Sequence, residues 1–154
     1  MDTEDFRGRL ILAFPPHPFH GLVSTHDECD DGIALRTGLP GKRWDEVPGG
    51  FVDANSLSLP LLEPRALVAF LPAWLLRAAQ TFHPNSPALE FLVYFLCPGS
   101  EDEGWNEEHL TENVALFDEA QRQVVADFLQ SVLDTGELGC HHSCAEHALP
   151  SWRS

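Results

Sequence analysis

The run EPRALVAFLPAWLLRAAQTF, residues 63–82, constrains the fold more than any other stretch. Pro64 suits the first position of a helix, where its missing N–H costs nothing. Leu67, Val68, Phe70 and Leu71 then predict a buried helix. Pro72 breaks or kinks it, because a proline ring clashes with the carbonyl four residues back and removes a hydrogen bond. The sequence therefore predicts two apolar helices meeting at an angle, the second carrying Trp74, Leu75, Ala78, Ala79 and Phe82.

The flanking segments read as shorter helices. Phe6, Leu10 and Phe14 lie four apart and predict a helix stopped by Pro15 and Pro16. A second helix is predicted from Ser24, with Thr25 as its cap and Glu28 completing a capping box. Residues 41–60 read as mostly irregular, with Trp44 pinning them to the core. SPALEFLVYFLCP opens on Pro87 and reads as a buried helix. The acidic half-loop from Glu101 reads as exposed. Asp118 and Gln121 then form a capping box ahead of an apolar stripe through Val125, Phe128, Leu129 and Val132. Little apolar periodicity is evident after Gly136. The expected fold is mainly α, a compact irregular bundle of five or six short helices with long loops. Residues 1–135 are expected to form a single helical domain and 136–154 a Cys/His-containing C-terminal tail.

At 154 residues a chain buries roughly two-thirds of its unfolded surface, so the core needs no metal or disulfide. The charge narrows the function. With 24 acids against 9 bases, the net charge of -15 repels phosphate backbones and anionic lipid. Neither nucleic acid nor membrane is an expected partner; a basic protein is. No apolar run is long enough to span a bilayer, and MDTEDFRGRL lacks the features of a signal peptide. The expected setting is the cytosol, where Cys29, Cys97, Cys140 and Cys144 are thiols or metal ligands rather than structural disulfides.

Five segments carry a resemblance: ILAFPP near the start, THDECDD at 25–31, KRWDEVP at 42–48, LVAFLPAWLLRA at 67–78 and LFDEAQRQVVADFLQSVL at 116–133. In this order they resemble an uncharacterised family of small, mainly bacterial proteins, a domain of unknown function. Its His-x-x-Cys element corresponds to His26 and Cys29, and its Leu-Pro-Ala-aromatic element to Leu71, Pro72, Ala73 and Trp74. The resemblance implies no particular activity. It ends before GCHHSCAEHALPSWRS, the segment richest in coordinating atoms.

Within that segment Cys140 and Cys144 are four apart, and Cys144 and His147 three apart, so a helix places all three on one side. Three such ligands suffice for a metal site with one open position. His26 and Cys29 form a second pair at i, i+3. If the two segments meet, His26, Cys29, Cys140 and Cys144 make a four-ligand shell whose soft donors favour zinc. No other cofactor is expected. CHHSC, however, lacks the paired C-x2-C or C-x4-C knuckles of structural zinc.

Plainer readings compete. The tail reads equally as an exposed, partly disordered end. Cys140 and Cys144 read as a redox pair, although the C-x-x-C spacing of thiol exchangers is missing. His26 reads as a hydrogen-bond donor to a loop carbonyl and Cys29 as a small buried hydrophobe. A thiol nucleophile would pair Cys29 with His17 or His20, but no local signature places a catalytic residue. Trp44 and Trp74 read as core. Trp105 in the acidic stretch reads as an interface aromatic or, more plainly, as the anchor of a solvated loop, and Trp152 near the end reads as an interface aromatic. The expectation is a soluble acidic domain that acts through protein–protein contacts rather than catalysis. The alternative is a metal- or thiol-dependent enzyme using the His/Cys cluster.

Overall fold

The computed structural model describes residues 1–100, 102–136, 138–139 and 141–154. It is mainly helical, with eight α-helices among the described residues. In chain order these are α1 (Thr3–Ala13), α2 (Asp30–Gly38), α3 (Gly49–Ala54), α4 (Pro64–Gln80), α5 (Pro87–Leu96), α6 (Glu107–Ala115), α7 (Glu119–Asp134) and α8 (His141–Arg153). Two single 3-10 turns, Trp44–Glu46 and Leu59–Leu61, flank α3. A minimal antiparallel hairpin joins α5 to α6, pairing β1 (Gly99–Ser100) with β2 (Gly104–Trp105).

Helix α4 lies at the centre, packed against α1, α3, α5 and α7. It runs as one helix through Pro72, so of the break or kink predicted there the break does not occur. Eleven of its seventeen residues are buried, on both sides of the proline. Burying each large apolar side chain is worth about 1.5–3 kcal/mol, whereas an internal proline costs about 3 kcal/mol. Burial of both halves therefore outweighs the lost hydrogen bond.

Helix starts follow local chemistry. Asp2 accepts from Glu4 N and Asp5 N at 3.0 and 3.2 Å, opening α1. Ser86 caps α5 through Leu89 N at 3.2 Å. The capping box expected for α7 is present, with Gln121 N donating to Asp118 at 2.8 Å and Asp118 N donating to Gln121 at 3.0 Å. Two stretches read as irregular are partly helical. Residues 41–60 contain α3, and Asn106 starts α6 inside the acidic stretch by accepting from His109 N at 3.1 Å.

Three tryptophans staple helix ends. Trp44 Nε1 donates to Phe14 O (2.7 Å), Trp74 Nε1 to Asn55 O (3.3 Å) and Trp152 Nε1 to Leu96 O (3.0 Å). Phe14 and Asn55 follow the last residues of α1 and α3, and Leu96 is the last residue of α5. A helix leaves its final carbonyls without intrahelical partners. In each case a buried indole joins one of these helix ends to a distant element.

The expected exposed tail is corrected by α8. Cys144, Ala145, Ala148, Leu149 and Trp152 form a buried stripe, and Trp152 is 0% exposed. The helix packs on α5, α6 and, most extensively, α7. Trp152 is a core residue, not an interface aromatic.

Candidate functional site

His26 and Cys29 lie in the exposed segment leading into α2. The cap expected from Thr25 is supplied instead by Cys29, whose Sγ accepts from Gly32 N at 3.4 Å. Helix α2 therefore begins at Asp30, six residues past the predicted start at Ser24. Gly32 sits where a Cβ would lie 2.1 Å from the His26 carbonyl oxygen. The glycine thus permits the His26 backbone to fold over the first turn of α2. Cys29 is exposed, not the buried hydrophobe expected. Residues 25–29 alone line a shallow, open hollow there.

Cys144 and His147 occupy a different setting. Cys144 is buried on α8, near enough to the thiol of Cys97, which follows the last residue of α5, to perturb it. The proximity of Cys144, burial, and the negative charge of Glu107 all push the Cys97 thiol well above its usual range. His147 Nε2 meets Glu107 Oε1 on α6. The His147 ring stacks on Trp105, with centroids 4.3 Å apart and planes 11° from parallel. Trp105 is therefore half-buried against α8 rather than wholly presented to a partner. Sequence reasoning did not select Cys97; its place directly after an apolar run, before Pro98, was the available signal.

Among the described residues, no group of three or more His, Cys, Asp or Glu side chains is arranged to hold a metal. His26 and Cys29 sit at the start of α2, whereas Cys144 and His147 face α5 and α6. Cys140, the remaining proposed ligand, lies outside the described residues.

A third feature lies along the other side of α6. Two adjoining hollows of about 220 and 240 Å³ share Leu59, Pro60, Phe95 and His109. The first extends to Leu57, Tyr94 and Pro98, and the second to Leu67, Asn113 and Leu116. Together they form an apolar groove between the 56–67 segment and helices α5 and α6. Leu57, Tyr94 and Leu116 are 64%, 44% and 37% exposed along it. Asn113 is 6% exposed, and its amide nitrogen has no hydrogen-bond partner among the described residues. His109 and Glu112 are the lining residues that can carry charge near neutral pH, and the lining contains no lysine or arginine.

Each hollow is smaller than the ~300–1,000 Å³ common for small-molecule sites, and suits one or two side chains. No helix among the described residues is long and apolar enough to cross a membrane. No protein-family model, curated protein or solved structure matches the chain.

Proposed function

We propose that this domain works by protein–protein contact, taking an apolar segment of a basic partner into the groove between residues 56–67, α5 and α6. The observation that carries this reading is the continuous apolar lining with an unpartnered buried amide, Asn113, at one end. An unsatisfied buried donor costs about 1–3 kcal/mol, and a backbone carbonyl of a docked segment relieves that cost. Charge supports the choice of partner. The groove offers Glu112 and no lysine or arginine, and the chain carries a net charge of -15. Cationic residues flanking an apolar anchor gain from that field, whereas acidic ligands are repelled. A cytosolic setting belongs to this reading.

The test uses a fluorescent peptide with a Phe-Leu anchor flanked by arginines, titrated into the full chain by anisotropy. Leu57→Asp and Leu116→Asp each add negative charge beside the groove, so a purely electrostatic association would tighten. Docking in the groove predicts at least about tenfold weaker binding for both, on the order of 1.4 kcal/mol. Leu12→Asp, on the exposed face of α1, should leave binding no weaker. Equal weakening by Leu12→Asp, or tighter binding by the groove variants, overturns the proposal.

A further inference from the structure

We propose that Cys97 and Cys144 form a redox-modification site, closing reversibly to a disulfide that joins the end of α5 to α8. The two thiols are 47 positions apart in the chain (144 − 97) yet are buried neighbours where α8 packs on α5. Trp152 fixes the same two helices together through its 3.0 Å bond to Leu96 O, one residue before Cys97. The thiols are therefore held side by side by core packing rather than by a loop that samples many positions. Cys29, the exposed thiol, instead accepts a backbone hydrogen bond at the start of α2.

The co-reactant is a small-molecule disulfide. Cys144 is 7% exposed and Cys97 0%, so Cys144 is the thiol an oxidant reaches first. Its thiolate attacks one sulfur of the small disulfide, forming a mixed disulfide and expelling one thiolate. The Cys97 thiolate then attacks Cys144 Sγ and expels the second. Two protein S–H bonds are replaced by one S–S bond, while the small disulfide takes up two electrons and two protons as two thiols. A dithiol reductant reverses the sequence. In the mixed disulfide the Cys144 thiol no longer acts on Cys97, but burial and the Glu107 carboxylate still favour its protonated form, so the second step should speed up in alkali.

The experiment treats the purified full chain with oxidised glutathione, then traps remaining thiols with iodoacetamide after acid quenching. Intact mass and peptide mapping are read before and after dithiothreitol. The expected product has lost two hydrogens, carries a peptide cross-link from Cys97 to Cys144, and reverts on reduction. A Cys29→Ser, Cys140→Ser double variant, which retains only Cys97 and Cys144, should form the same product. A wild-type bridge from Cys140 to Cys144 instead would overturn the assignment. So would a double variant that stays reduced or accumulates only glutathione adducts.

Discussion

His26-x-x-Cys29 and Cys144-x-x-His147 are mirror-image motifs with opposite fates. The first lies on an exposed segment, where its sulfur satisfies a backbone N–H and its histidine is exposed. In the second, the sulfur is buried against Cys97 and the histidine is gripped by Glu107 and Trp105. Residue type and spacing are shared, so neither explains the difference. What separates the two motifs is the helix that each one leads into or lies on. Helix α8 has a buried stripe ending in Trp152, whereas α2 buries only Gly32 and Leu35.

If Trp152 is what places Cys144, removing it should produce the largest effect. Trp152→Ala deletes a fully buried indole and its bond to Leu96 O. Such truncations cost about 3–5 kcal/mol, a substantial part of the ~5–15 kcal/mol that stabilises a typical domain. The urea midpoint should fall accordingly, and alkylation of Cys97 and Cys144 under native conditions should speed up far more than that of Cys29. A variant with unchanged midpoint and equally protected cysteines would show that α8 is held by something other than its tryptophan.

The buried thiol should also leave a signature in pH. Cys97 faces Cys144 from α8 and the carboxylate of Glu107 from α6, and its folded-state pKa is raised by them and by burial. A raised folded pKa means that above the unfolded value, near 8.5, the folded chain holds a proton that the unfolded chain has released. Its contribution is fully present below that value and declines as pH rises beyond it, by up to about 1.4 kcal/mol per pH unit. Chemical denaturation between pH 7 and 10 should therefore show a shallower loss of stability for Cys97→Ala than for the parent chain. Parallel curves would mean that Cys97 ionises as readily folded as unfolded.

The comparison also shows what the sequence could reveal. The helices of α4, α5 and α7 were legible because large apolar residues recur at helical spacing behind a proline or a capping box. Helix α8 was not, because its buried stripe uses Cys144, Ala145 and Ala148, small residues that give little periodic signal beside three histidines. The break expected at Pro72 rested on a local cost that tertiary burial exceeds. Cys97, just past the end of α5, and Cys144, on α8, are neighbours that only the packed core brings together. The groove has the same origin, since Leu59, Phe95 and Asn113 come from three separate elements. Local spacing carries no information about such meetings.

The smallest expected effect lies at the exposed motif. Cys29 caps α2 through a 3.4 Å sulfur contact to Gly32 N, and sulfur is a weak acceptor. Serine is among the preferred residues at this position, and its hydroxyl oxygen accepts a shorter, stronger bond from the same N–H. Cys29→Ser should therefore leave stability unchanged or raise it by about 0.5 kcal/mol, at the low end of measured capping energies. Cys144→Ser should destabilise, because it places a hydroxyl where α8 packs against α5. Urea denaturation of the two variants side by side measures the contrast. Equal losses would mean that Cys29 is held by contacts as demanding as those of Cys144, and the distinction between a capping thiol and a core thiol would fail.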